Sequence, residues 1–186
     1  MSSSARNHFE LMGLPLGYAL DTAALERAYR ALQAEVHPDR VAAGDDATQR
    51  AALEASAQAN EAYRTLRDPV LRASYLLKLR GVDAFDETDT RLALPFLEAQ
   101  LERRDQAARA ADIDDVAALE RLVDGVRREI AVREARLAAV LDALDGSASS
   151  SETGKALDTA KAQVRELRFL TKLVEDVNGM LAALDD

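Results

Sequence analysis

The chain has 186 residues, enough for one or two domains, and its composition (48% hydrophobic, much of it alanine, with only 4% aromatic) suits packed helices; Val and Ile never alternate as a sheet requires. The absence of cysteine excludes disulfides, thiolate catalysis and a cysteine-based metal site. Charge is unevenly placed: residues 1–80 hold 10 Lys+Arg and 10 Asp+Glu, residues 81–186 hold 14 and 23, so the whole net charge of -9 lies in the second half and argues for protein partners over a nucleic-acid backbone.

In chain order, a short helix is expected over about Asn7 to Leu11, stopped by Gly13 and Pro15, with Phe9 and Leu14 as core residues. Asp21 suits the N-cap of a second helix, in which Leu25, Ala28, Tyr29, Leu32 and Val36 recur on one face. Pro38 has no N–H to donate and drives its predecessor out of helical geometry, so this helix should stop at or just before His37 and leave His37 and Asp39 on a loop tip. Gly44 to Ala47 reads as the turn into a third helix, which reaches about Arg67 and places Leu53, Ala57, Asn60, Tyr63 and Leu66 on one side. Asn60 there is expected to satisfy a local backbone or loop group. Asp68-Pro69 ends it, and a fourth helix from Val70 to Arg80 carries Leu71, Tyr75, Leu76 and Leu79 on one side.

Residues 81–89 break every periodic pattern and coincide with the change in charge, which divides the chain into residues 1–80, a linker over 81–89 and residues 90–186. Val82 and Phe85 are unusual in a floppy linker and suggest that it pins the two halves together. A helix from about Leu92 to Ala110 follows, with Pro95 in its first turn and two apolar lines: Leu94, Leu97 and Leu101 on one, Leu92, Phe96 and Ala99 on the other. Only one can face a core. A three-four seam (Val116, Leu119, Val123, Val126, Ile130, Leu137, Val140, Leu144) then predicts a rod from Asp112 to Leu144 of roughly 50 Å, interrupted once by Arg133. After a polar turn over 145–154, a last helix from about Lys155 to Leu184 repeats the seam at Leu157, Val164, Leu167, Thr171, Val174, Val177, Met180 or Leu181, and Leu184. Three such helices make an antiparallel bundle, so the fold class is all-α. Phe169 lies about 200° around the last helix from Leu167: stranded in solvent, capped by the other half, or touching a partner.

An imidazole and a carboxylate flanking a rigid proline suit recognition of a partner's polar and cationic groups, Asp39 being able to take a two-pronged contact from an arginine. A proton-transfer pair fits poorly: the ring of Pro38 holds the two side chains apart, no nucleophile or oxyanion site lies nearby, and the only other histidine, His8, has no metal-like spacing. No catalytic residue, metal or cofactor is assigned. Arg27 and Arg30, one turn apart and off the apolar stripe, form a small basic edge with Arg40; each alone would ordinarily be a solvated residue pairing locally, as with Glu26. No apolar run is long enough for a bilayer and Met1 to Ser4 lacks the layout of a secretion signal, which makes the cytoplasm the expected compartment.

Asn7-His8-Phe9-Glu10-Leu11-Met12-Gly13-Leu14-Pro15, the paired helices around His37-Pro38-Asp39, and Asn60 to Pro69 together resemble a J domain. Arg72-Ala73-Ser74-Tyr75-Leu76-Leu77, Phe96 to Glu102 and Leu167-Arg168-Phe169-Leu170 extend that resemblance to HscB, the co-chaperone of iron–sulfur cluster assembly. The resemblance implies a J domain over 1–80, a helical hairpin with flanking helices, followed by a three-helix bundle over 90–186. It implies docking on a DnaK-type (HscA-like) ATPase chaperone through His37, Pro38, Asp39, Arg27, Arg30 and Arg40. It also implies binding of an iron–sulfur scaffold protein (IscU-like) through Leu97, Leu101, Glu102, Asp105 and Phe169. From pattern alone, Leu97 and Leu101 would rather be bundle core; the resemblance reverses that preference. Two positions depart from the family: Glu98 stands where an apolar methionine is usual, and Arg109 where an acidic residue is usual. Some members also carry an N-terminal cysteine metal site that this chain lacks. A J protein serving a different client is the rival reading.

Overall fold

The computed structural model describes residues 6–36, 46–86, 92–144 and 150–184. Among these are seven helices: α1 (His8–Leu11), α2 (Thr22–Val36), α3 (Asp46–Arg67), α4 (Pro69–Leu79), α5 (Leu94–Asp112), α6 (Val116–Leu144) and α7 (Ser150–Leu184). No strand occurs among the described residues. The chain divides into two compact units, Met1–Leu76 and Leu77–Asp186.

Local chemistry accounts for most helix ends of the first unit. Asn7 and Glu10 form a reciprocal capping box at the start of α1. Gly13, at φ 63°, closes that helix: its N–H donates to the Glu10 carbonyl and that of Leu14 to the Phe9 carbonyl, a Schellman turn that needs the left-handed conformation. Asp21 Oδ1 accepts from the N–H groups of Ala23 (2.9 Å) and Ala24 (3.1 Å), the cap expected for α2. Asp68 does more than end α3. Its Oδ1 accepts from Val70 (2.8 Å) and Leu71 (2.9 Å), with Pro69 opening α4.

Which faces are buried differs from the simplest reading of periodicity. On α3 the inward residues are Ala59, Ala62, Thr65 and Leu66, while Leu53 is 57% exposed and Ala57 and Asn60 are also exposed. Small alanines let helices approach closely, so the core line falls on them and the larger residues flank it. On α4, Val70, Ala73, Leu76 and Leu77 are buried, whereas Leu71 and Leu79 are exposed. Phe9, Met12, Tyr18 and Leu25 are buried as well; Leu14 is only half-buried. Tyr75 stacks on His8 (4.1 Å between centroids, 9°) and its hydroxyl accepts from the His8 N–H at 3.0 Å, which ties α1 to α4. The buried Arg72 donates from Nη1 to the Leu66 carbonyl (2.6 Å) and lies over the ring of Tyr18.

In the second unit α5, α6 and α7 pack as a three-helix bundle. The expected rod from Asp112 breaks early: Asp112 belongs to α5, Asp114 adopts φ 54°, and Asp115 caps a shorter α6 by accepting from Ala118 N–H at 2.9 Å. At 29 residues, α6 is roughly 43 Å long. The polar stretch expected as a turn over 145–154 is helical from Ser150; 145–149 lie outside the described residues. Phe96, Ala107, Ala110, Leu119, Val123, Val126, Leu170, Leu173 and Val177 form the core where all three helices meet. Leu137, Leu141, Ala160, Val164 and Leu167 are buried further along α6 and α7. Leu170 and Leu173 enter beside the predicted seam because α7 packs against two helices and so buries a wider stripe.

Residues 77–86 lie on this unit as well. Gly81, at φ 79°, ends α4 in a second Schellman turn, Arg165 Nε donates to the Ala84 carbonyl (2.7 Å), and the Arg168 guanidinium lies 4.4 Å from the centroid of Phe85. Of the expected linker, 87–89 lie outside the described residues.

Candidate partner-binding faces

On the first unit, α2 carries Arg27 and Arg30 on its exposed side, about 60° apart around the helix. Arg27 is 3.8 Å from Asp21 Oδ2, and Arg30 is 3.4 Å from Glu26 Oε2, the local pairing anticipated for it. Exposed pairs of this kind contribute only about 0.2–1 kcal/mol, so a partner's carboxylates can displace them. Behind this edge the α2–α3 hairpin is held by Tyr29 stacked on Tyr63 (4.2 Å, 19°) and by Asn60 Oδ1, which accepts from the Tyr29 hydroxyl (2.7 Å) and from Gln33 Nε2 (2.6 Å). Asn60 thus meets side chains of α2 rather than the expected local group. Tyr29 pairs with Tyr63 and Gln33 with Asn60, so the hairpin is antiparallel. His37, Pro38, Asp39 and Arg40 lie outside the described residues.

On the second unit, α5 turns its lines in a way that spacing alone left open. Phe96, Gln100, Ala107 and Ala110 go inward; Leu94 and Leu101 are 67% and 66% exposed, Leu97 is half-buried, and Ala99 is exposed. The line of Leu94, Leu97 and Leu101 is therefore the one left over. Glu98, Glu102 and Asp105 are exposed beside it; Glu102 accepts from Gln106 Nε2 (3.0 Å), and Arg109 reaches to 3.9 Å from Asp105. Phe169 on α7 is 42% exposed and meets Phe96 edge-on, with centroids 6.4 Å apart and planes at 88°. It is thus supported by its own unit and still open to solvent. Leu94 joins this face although it was not assigned to a site; its i, i+3, i+7 spacing with Leu97 and Leu101 was the available signal.

Beneath the face is a charge network. Glu129 Oε1 accepts from Arg133 Nε (2.9 Å) and lies 2.8 Å from its Nη2, Glu129 Oε2 pairs with Arg103, and Arg133 Nη1 donates to Glu166. The residue interrupting the seam is therefore paired on two sides. Burial alone would raise the Glu129 carboxyl, but hydrogen bonds from Arg133 and Arg103, with their charges, outweigh it and hold the group below its ordinary value. Among the described residues, no cluster of three or more His, Asp or Glu could hold a metal ion, and no helix is long and apolar enough to cross a membrane.

The helical hairpin with its flanking helices coincides with a match to the DnaJ domain model over residues 7–75, which places the chain among the J-type proteins. The model described as the HSCB C-terminal oligomerisation domain matches residues 94–178. The "Co-chaperone protein HscB homolog" of Burkholderia thailandensis is 42% identical over 185 residues, covering 100% of this chain and 99% of that protein. Its namesake in Cupriavidus taiwanensis is 43% identical over 178 residues, 96% of this chain and 95% of that one. The chain belongs to the HscB family, J-domain co-chaperones of iron–sulfur cluster assembly. The solved HscB of Vibrio cholerae superposes with a TM-score of 0.79 at 32% identity, covering 94% of this chain and 96% of the other. Human HscB, at 24% identity, shares the fold (TM-score 0.81, 95% of this chain, 82% of that one).

Proposed function

We propose that the first unit docks on a DnaK-type, HscA-like ATPase through His37, Pro38 and Asp39 with Arg27, Arg30 and Arg40, and favours the conformation in which bound ATP is hydrolysed. The second unit meanwhile carries an IscU-like scaffold protein on Leu97, Leu101, Glu102, Asp105 and Phe169. We take the functional divisions as 1–80, 81–89 and 90–186, with the protein working in the cytoplasm. Neither step requires chemistry by this chain: stimulation comes from binding energy spent on a partner's conformational change, and two handles on one molecule raise the local concentration of cargo at the chaperone.

The observation that carries this reading is the exposure of Leu94, Leu101 and Phe169 on a bundle that buries Phe96 and two alanines of α5 in its core. An apolar line with acidic flanks suits a partner surface that is apolar at its centre and basic at its edge. In a titration with the apo scaffold protein, Leu101→Ala should weaken binding by roughly tenfold or more without change in helicity; retained affinity removes Leu101 from the site. For the other handle, steady-state ATP hydrolysis by the HscA-like chaperone should rise with wild type, and His37→Gln should lose that rise. Equal stimulation by both proteins overturns the docking assignment. A J protein for another client would still stimulate the chaperone in the ATPase assay but show no scaffold binding at all.

A further inference from the structure

We infer that Arg133 is a positioning residue for the scaffold-binding face, holding Phe96 and, through it, both Phe169 and the start of α5. The inference rests on the scaffold reading above but makes a separate claim about how the face is kept in shape. Three helices contribute to one stack. Arg133 of α6 lies with its guanidinium carbon 5.3 Å from the centroid of Phe96 of α5, and Phe96 supports Phe169 of α7 edge-on. The N–H groups of Arg133 are directed to Glu129 and Glu166, which fixes the guanidinium with its carbon over the Phe96 ring. Lysine could supply the charge but not the forked donors that hold it in place.

The start of α5 is held by Phe96 and by Leu92 just before it, which packs against the same core. Ala93 sits at the N-cap and makes no side-chain hydrogen bond, although its carbonyl accepts from the N–H groups of Phe96 and Leu97. Phe96 is the first buried residue of the helix; Leu97 follows it directly and Leu94 stands two positions before it. Where Phe96 sits therefore sets the direction of the leucine line as well as the support under Phe169. Arg133, half-buried between apolar seam positions, is thereby given a role that the seam itself does not explain.

The chain contains no tryptophan, so Phe169→Trp installs a single reporter on the face. In that background Arg133→Gln should lower the anisotropy of the tryptophan and increase its quenching by acrylamide. Arg103→Gln should leave both signals unchanged, since Arg103 shares Glu129 but is not stacked on Phe96. Unaltered tryptophan signals in Arg133→Gln, or equal changes in both variants, overturn the inference whatever happens to binding. With scaffold protein added, Arg133→Gln alone should weaken binding roughly tenfold, and in the Phe169→Ala background it should weaken binding by a smaller factor, because the part that acts through Phe169 is already lost and the part that acts through the leucine line remains. If the tryptophan responds while Phe169→Ala binds scaffold normally, the positioning role stands and the scaffold assignment of this face falls.

Discussion

Leu170→Ala should cost the second unit about 3–4 kcal/mol, and Phe169→Ala, one position away, less than about 1 kcal/mol. Leu170 is wholly buried in the core shared by all three bundle helices, where truncation leaves a void that packed neighbours fill only in part. Phe169 keeps much of its ring in water and has one described aromatic partner, Phe96. The order should invert in binding. Phe169→Ala should weaken the scaffold complex by about 2 kcal/mol or more, close to thirtyfold, while Leu170→Ala at a temperature where it remains folded should weaken it far less. Urea denaturation followed by circular dichroism reads the first pair of effects and calorimetric titration the second. A Phe169→Ala protein that is strongly destabilised yet binds normally would place that ring in the core instead.

The second large effect is electrostatic and depends on pH. Glu129→Gln leaves Arg103 and Arg133 without their shared counter-charge, with Arg133 still paired to Glu166, and should cost on the order of 2 kcal/mol near neutrality. Because the folded-state carboxyl of Glu129 is held below its ordinary value of 4.5, its stabilisation is complete above that value and is lost as pH falls through the lower, folded one. Wild type and Glu129→Gln should therefore differ most near neutrality and converge in acid. Denaturation midpoints compared near neutrality and about two pH units below the ordinary glutamate value test this; a gap that stays constant, or widens in acid, refutes it.

Several features were legible in the residues themselves because they depend on near neighbours. Asp21 caps α2 since its carboxylate reaches N–H groups two and three residues on, and Gly13 ends α1 since glycine readily takes the left-handed conformation found there. The helical class, the bundle and the family resemblance followed from similarly local or linear patterns. Tertiary structure decided the rest. Periodicity showed that α5 has two apolar lines, but only its neighbours selected between them: Ala107 and Ala110 fit close to α6, and the aromatic face of Phe96 meets Arg133, so Leu94 and Leu101 were left outside. The same holds for Arg133, a misfit in its own helix until Glu129 and Glu166 are brought to it. Spacing along a chain sets which side chains share a face; how deeply that face is buried depends on the shape and charge of what packs against it.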